Sequence, residues 1–577
     1  LIPRIRATRR GRPLPFSFET RARPMSQTPW WQSAVIYQIY PKSFQDSAAR
    51  GTGDLKGIMA RLDYLKTLGV DALWLTPVYV SPQVDNGYDI ADYLAIDPAY
   101  GIMADFEALL TAAHARDIRI VMDIVVNHTS TEHAWFKSAL GDKNSPYRDY
   151  YIWRDPVDGG VPNNWQSKFG GSAWELDEIT GQYYLHLFAR EQADLNWENP
   201  EVRAEVKNII HFWAKKGVDG FRLDVINLIS KDQAFPNDEI GDGRRFYTDG
   251  PRIHEFLQDV SRDVFAPVGA MTVGEMSSTS LEHCQRYGAL DGSELSMVFN
   301  FHHLKVDYPN GDKWTKAPFD FLELKRIFNH WQSGMHGKGW SALFWCNHDQ
   351  PRIVSRFGDE GEHRVVAAKM LASTLHGLQG TPYIYQGEEI GMTNPGYQRI
   401  DDYQDVESRN IFAIKQTEGM SKAEILAILG AKSRDNSRTP MQWSAAANAG
   451  FTQGTPWLKP AANYPLINAE AALADQHSVF WHYRDLIRLR KTHPIFTQGD
   501  YQELLAGHPQ IWAYARRANG QTLLVVSNFY GEPATFALPD ELATGKGRLL
   551  LGNYPDSPAR PQSCMLRPYE SLIWLVE

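Results

Sequence analysis

The sequence of 577 residues contains only three cysteines, Cys284, Cys346 and Cys564, and they show no paired spacing. Since disulfide frameworks need paired cysteines, we expect a reduced, cytoplasmic setting. No uninterrupted apolar stretch approaches the ~20 residues that a bilayer-spanning helix needs. The chain also lacks an excess of positive charge, because 59 basic and 68 acidic side chains give −9. This balance argues against nucleic acid or an anionic membrane as a partner, and 43% hydrophobic content argues against disorder.

Positive charge is concentrated in the first residues of the chain. Residues 1–24 contain seven arginines and one acid, Glu19, for a charge of +6, so the remainder carries −9 − 6 = −15. This segment lacks the continuous apolar region of a secretion signal. We interpret it as a leader or non-native segment before a natural start at Met25, with a transit peptide or a basic arm as the alternative.

Eight short apolar, β-rich runs recur along the chain, with helical patterns between them. Their near-continuous hydrophobicity is typical of parallel strands that are covered on both faces. This α/β pattern predicts a (β/α)8 TIM barrel with insertions, and a doubly wound sheet is the alternative. The runs are residues 35–40, 72–76, 119–127, 220–226, 271–276, 295–301, 342–347 and 382–386.

The spacing of these runs predicts how the domains are arranged. We place the barrel in residues 25–128 and 200–494, with a second insertion at about 394–455. The intervening residues 129–199 are rich in Trp, Tyr, Asn and Gly and predict an inserted domain after the third strand. The last segment, 495–577, has short alternating strands and no long helix, which predicts an antiparallel β domain.

Acidic side chains stand at the carboxyl ends of three predicted strands, where a barrel gathers polar residues at one mouth. They are Asp224, Glu275 and Asp349. One acid in an apolar strand could be a structural ion pair, but three from different strands are hard to explain in that way. Glycosyl transfer needs a neutral carboxyl group for the leaving group and an ionised one facing the oxocarbenium-like centre. The three acids therefore suggest a glycoside hydrolase.

Ordered motifs around these acids resemble the four signature regions of the α-amylase family of glycoside hydrolases. A further motif, residues 192–196 (QADLN), resembles the additional signature of the oligo-1,6-glucosidase branch of that family. The resemblance covers essentially all of residues 30–577. The four regions are residues 123–128 (DIVVNH), 220–224 (GFRLD), 273–275 (VGE) and 347–349 (NHD).

The resemblance implies roles for individual residues. Asp224 is the implied nucleophile, and Arg222 on the same strand face would orient it and keep it ionised. Glu275 is the implied general acid and then base, and Asp349 the implied third catalytic carboxylate, which grips sugar hydroxyls. Residues 85–89 (DNGYD) also contain an Asn-Gly turn, and the turn and a sugar-binding role can both hold. Arg438 could have a structural role instead. The implied substrate-binding residues are Asp85, Tyr88, His128, Arg222, His348, Arg434 and Arg438.

Three lysines, Lys42, Lys305 and Lys313, stand near the predicted mouth, although a neutral disaccharide needs no extra cation. By spacing alone they read as ordinary surface lysines, but on a body of charge −15 they could hold an anion locally. Longer stretches such as residues 302–314 (HHLKVDYPNGDKW) resemble a group within the branch that hydrolyses trehalose 6-phosphate with retention. We therefore expect a sugar-phosphate substrate and a phosphate site at these lysines, with oligo-1,6-glucosidase or sucrose isomerase activity as the alternative.

The sequence departs from the family's pattern at a calcium-binding loop. Relatives often carry a calcium loop after the first strand, but Ala48 and Arg50 occupy its ligand positions here. We expect no metal and no cofactor, and we expect Arg50 to pair with Asp46 or Asp54. A non-catalytic transporter subunit of the same fold would show a transmembrane segment and damaged carboxylates, and neither is present in the sequence. We expect a monomeric enzyme.

Overall fold

The computed structural model describes residues 28–543 and 546–577. The leader predicted at residues 1–24 lies outside the described residues. Among the helices described, none has both the length and the apolar character needed to cross a membrane.

Eight parallel strands form one sheet in the order β6-β5-β4-β3-β2-β1-β8-β7. A bridge between Val298 and Ser341 joins the two edges, so the sheet closes almost completely into a barrel. The predicted TIM barrel is confirmed, and the doubly wound alternative is wrong. The strands are β1 Ile36–Ile39, β2 Ala72–Leu75, β3 Arg119–Ile124, β4 Gly220–Leu223, β5 Met271–Met276, β6 Met297–Asn300, β7 Ala342–Leu343 and β8 Thr381–Tyr385.

Helices cover the outside of the barrel. The longest of those given below, Pro200–Lys215, begins with proline at its first position. The side chain of Asn199 accepts a hydrogen bond from the Glu201 amide. Its buried residues recur at helical spacing and turn one face to the barrel. The helices are α1 Leu55–Ala60, α2 Leu62–Leu68, α3 Met103–His114, α4 Pro200–Lys215, α5 Ile253–Val260, α6 Leu281–Tyr287, α7 Phe321–Met335, α8 Arg364–His376 and α9 Val479–Thr492.

Apolar side chains fill the barrel interior. Trp74, Val273 and Phe299 are all buried in one interior cluster. The strand register places Arg222 of β4 directly beside Asp123 of β3. Polar side chains thus meet above an apolar floor, at the carboxyl ends of the strands.

Two long segments interrupt the barrel pattern. Between β3 and α4, Trp153–Arg154, Gln182–Leu185 and Trp174–Asp177 form a three-stranded antiparallel sheet. Between β8 and α9, the chain contains the helices Val406–Thr417 and Lys422–Lys432. The predicted bounds of these two insertions stay predictions.

The C-terminal residues form a five-stranded antiparallel sheet in the order β9-β10-β11-β13-β12. The ammonium group of Lys325 on α7 donates to the carbonyls of Leu505, His508 and Ile511 and joins this sheet to the barrel. The predicted antiparallel domain is confirmed. Its strands are β9 Gln502–Leu504, β10 Ile511–Ala518, β11 Gln521–Asn528, β12 Gly547–Gly552 and β13 Ser571–Val576.

Candidate active site

A cavity of about 270 Å³ opens at the carboxyl ends of the barrel strands. It is lined by all three implied catalytic acids and by six other predicted site residues. The remaining predicted residues, Arg222, His348, Arg438 and Lys42, do not line it. The predicted residues in the lining are Asp224, Glu275, Asp349, Asp85, Tyr88, His128, Arg434, Lys305 and Lys313.

Arg222 lies beneath the cavity and connects three carboxylates. Its Nη1 donates to both oxygens of Asp123, at 2.8 and 2.9 Å, and to Oδ1 of Asp224 at 2.7 Å. Its Nη2 donates to Glu275. Burial raises the pKa of Asp224 and opposes its ionisation, and the guanidinium of Arg222 counteracts that effect. One buried cation thus bridges three carboxylates and favours the ionised form of Asp224.

Asp349 faces the cavity and is held by two arginines. Its Oδ1 accepts from Arg438 Nη2 at 2.6 Å and lies 3.6 Å from Arg434 Nη1. Burial opposes ionisation, but His348 and the two guanidinium groups outweigh it and hold the pKa of Asp349 well below its usual range. The side chain is 31% exposed, so a charged oxygen is available to a ligand.

Two histidines of the predicted site are deeply buried and neutral. Burial lowers the pKa of His348 to about 3 and that of His128 to about 4. The amide of Gln38 donates to Nδ1 of His348, which leaves the proton on Nε2, 3.4 Å from Asp349. The His348 ring stacks on Tyr88, with centroids 5.1 Å apart. Both histidines act here as hydrogen-bonding groups rather than as charges.

Arg434 ties the second insertion to the loop after β2. Its Nη2 donates to Asp85 at 3.1 Å and to Asp405 at 2.6 Å. Burial raises the pKa of Asp85 to about 6, against the opposing effect of Arg434. Arg438 lies behind this layer, where it contacts Asp349 and the carbonyl of His348. The geometry therefore fits Arg434 for ligand contact and Arg438 for holding Asp349 in place.

The predicted anion-binding lysines differ in their surroundings. Lys42 lies outside the cavity: Nζ donates to Asn86 at 2.9 Å and sits 4.4 Å from the centroid of Trp457. Lys42 follows β1 in the short helical turn Pro41–Ser43, and its role in holding an anion at the mouth stays a prediction. Lys313 lines the cavity but forms an ion pair with Glu407 at 2.7 Å.

Several lining residues were not predicted from the sequence. Lys168 comes from the first insertion and Glu407 from the second, and Ser277 and Ser278 follow β5. Asp123 belonged to a recognised motif but had no predicted role. Lys168 and Glu407 carry no periodic or motif signal, so only the folded chain brings them to the cavity.

The loop after β1 binds its own backbone. Asp46 accepts from the amides of Ala48 at 2.8 Å and Gly51 at 2.7 Å. Arg50 donates to the carbonyl of Pro98 at 3.2 Å, so the predicted pairing of Arg50 with Asp46 or Asp54 is wrong. Within the described part of the chain, no group of three or more His, Cys, Asp or Glu residues is arranged to hold a metal ion.

Comparison with known proteins gives close matches along nearly the whole chain. The family described as alpha amylase, catalytic domain, matches residues 38–499, and the alpha-amylase SusG C-terminal domain matches residues 511–573. A trehalose-6-phosphate hydrolase of Escherichia coli (strain K12) is 64% identical, over 95% of this chain and 98% of that protein. An oligo-1,6-glucosidase of Halalkalibacterium halodurans is 50% identical, over 95% and 99%. The crystal structure of Bacillus licheniformis trehalose-6-phosphate hydrolase has a TM-score of 0.92 at 57% identity, over 95% of this chain and 100% of that one.

Proposed function

The chain belongs to the α-amylase family and is a glycosidase, and from this premise we propose that it hydrolyses trehalose 6-phosphate to glucose and glucose 6-phosphate. The observation that carries the proposal is the composition of the cavity. It contains carboxyl groups suited to glycosidic cleavage and, on the same wall, ammonium groups that a neutral disaccharide does not need. The identity to the E. coli trehalose-6-phosphate hydrolase supports the same substrate.

The geometry supports a double displacement in which Asp224 attacks the glucosyl carbon while Glu275 protonates the departing oxygen. Glucose 6-phosphate leaves, and a covalent glucosyl-Asp224 remains. Glu275 then takes a proton from water as the water oxygen attacks the glucosyl carbon and breaks its bond to Asp224, which releases glucose with net retention. Asp224 and Glu275 bind the two terminal nitrogens of Arg222, so one guanidinium holds both carboxyl groups together at the cavity. A retaining mechanism needs such a close pair, at about 5–5.5 Å.

The remaining predicted residues have binding roles in this proposal. Asp349 is the third catalytic carboxylate, and its ionised oxygen accepts from sugar hydroxyls as charge develops on the ring. Asp85, His128 and His348 surround the same glucosyl unit. Arg434 closes the pocket on that sugar, and Tyr88 offers an aromatic face for stacking.

Lys305 and Lys313 are the proposed phosphate ligands from the loop after β6. Both line the cavity, and Lys305 contacts Ser278, three residues beyond Glu275, which protonates the leaving sugar in this mechanism. Lys313 already has Glu407 as its partner, so a phosphate there must compete with a carboxylate. We expect the larger loss of preference for the phosphorylated sugar from Lys305→Ala and a smaller one from Lys313→Ala.

The decisive experiment compares trehalose 6-phosphate with plain trehalose at equal concentrations, measured as glucose released by the purified protein. We expect strong preference for the phosphorylated sugar and no glucose release by Asp224→Asn. An Asp224→Asn variant as active as the parent would refute the hydrolytic mechanism. Unchanged preference in both lysine variants would refute the assignment of these lysines to the phosphate.

A second candidate is oligo-1,6-glucosidase activity, because a relative of that description is 50% identical. Isomaltose separates the two: faster hydrolysis of isomaltose than of trehalose 6-phosphate would favour the second candidate.

We also propose a monomeric, cytoplasmic enzyme. The described cysteines are all unpaired, with Cys284 and Cys346 buried, which fits a reducing compartment.

A further inference from the structure

We infer that Lys168 of the first insertion is a phosphate ligand, and that it forms a single anion site with Lys305 and the hydroxyls of Ser277 and Ser278. This inference rests on the proposed function. It adds a specificity-determining residue from a part of the chain where the sequence predicted none.

The two ammonium groups are held side by side by neighbouring serines. Nζ of Lys168 donates to Oγ of Ser277 at 3.3 Å, and Nζ of Lys305 donates to Oγ of Ser278 at 3.5 Å. All four residues line the cavity. In the portion of the chain that the structure describes, neither lysine has a carboxylate oxygen within 4.0 Å. Their charges are therefore available to a ligand, whereas Lys313 already forms an ion pair with Glu407.

Like charges at this wall repel one another when no anion is present. Burial, with the charges of Arg244 and Lys305, lowers the pKa of Lys168 to about 8. Burial and Arg244 also lower the pKa of Lys305. A doubly charged phosphate between the two ammonium groups would relieve this repulsion and accept hydrogen bonds from both lysines.

The position of the serines relative to Glu275 fits the leaving sugar. Ser277 is two residues beyond Glu275 and follows the end of β5 at Met276, so the two positions are at most ~7 Å apart along the chain. Ser278 has a φ of 55°, a left-handed conformation that turns the chain at the cavity wall. The acid that protonates the glycosidic oxygen and the proposed anion site are thus separated by about one sugar ring.

The test is the ratio of kcat/KM for trehalose 6-phosphate to kcat/KM for plain trehalose in Lys168→Gln. Loss of one charge-assisted contact predicts a fall of about 10- to 100-fold, expressed mainly in KM for the phosphorylated sugar. Inorganic phosphate, used as a competitive inhibitor of the same reaction, should bind correspondingly more weakly. Lys168→Arg keeps the charge and should restore most of the ratio, which a purely structural role would not require.

Lys143→Gln is the matched control, because Lys143 is an exposed lysine in the same insertion and outside the cavity. It should leave both the ratio and phosphate inhibition unchanged. A parent that prefers the phosphorylated sugar, together with a Lys168→Gln variant within twofold of it, would overturn this inference alone. A parent without that preference would overturn the proposed function and this inference with it.

Discussion

Replacing Arg222 with glutamine should remove most of the activity while leaving the fold in place. Arg222 is 1% exposed and provides the one guanidinium that reaches Asp123, Asp224 and Glu275 among the described residues. Removing one partner of a buried ion pair costs about 3–5 kcal/mol. If that cost appears in the transition state, kcat falls by about 10²- to 10⁴-fold.

The pH dependence of this variant distinguishes electrostatics from misfolding. In the parent, Arg222 counteracts the effect of burial on the pKa of Asp224. Without the guanidinium, that pKa rises further and the nucleophile is protonated at higher pH. The acid limb of the kcat profile should therefore move to higher pH.

The assay is steady-state hydrolysis of trehalose 6-phosphate over a range of pH, combined with thermal unfolding of each variant. Arg516→Gln is the control, because Arg516 is equally buried but donates only to backbone carbonyls such as Gly377 and Gly499. It should lower Tm without moving the pH profile. A kcat for Arg222→Gln within threefold of the parent, with the acid limb unmoved, would refute the reasoning.

Three further predictions concern other parts of the molecule. Asp349→Asn should lower kcat by about 100-fold or more, because it removes the exposed charge that faces the sugar; a loss under threefold in steady-state kinetics would contradict this. Since burial raises the pKa of Asp85 to about 6, the parent's KM should rise as pH falls through that value, and Asp85→Asn should abolish this acid-side rise. Lys325→Met leaves one buried and two partly buried carbonyls without their donor and should lower the free energy of unfolding by about 2–4 kcal/mol in calorimetry, at unchanged kcat.

The barrel could be predicted from the sequence because its strands are covered on both faces and read as apolar runs. The ends of those runs were less predictable. The third run was expected to continue to residue 127, but β3 ends at Ile124, and the seventh run shrinks to Ala342–Leu343. In both places, residues of the run leave the sheet to form the mouth, and hydrophobicity does not distinguish a buried strand from a buried loop.

The catalytic acids could be predicted from the sequence because they stand in short motifs at the ends of strands. The partners of the lysines carried no sequence signal, since they depend on contacts between distant segments. Lys168 meets Ser277 across 109 positions, and Lys313 meets Glu407 across 94. A lysine in a loop is usually a solvated surface residue, and the sequence does not show whether a carboxylate or a hydroxyl will be its neighbour. That neighbour decides whether its charge is available to a ligand.

The same distinction explains how a chain with a net charge of −9 can bind an anion beside its own acids. The acids near the glucosyl position are matched by arginines: Arg222 below Asp224 and Glu275, and Arg438 behind Asp349. These guanidinium groups neutralise the carboxylates locally and limit their repulsion of a phosphate. The two ammonium groups beyond Glu275 contact serine hydroxyls instead, so their charge is not cancelled. Specificity for a phosphorylated sugar thus depends on which cations in the cavity lack an acidic partner, and the net charge of the chain does not decide it.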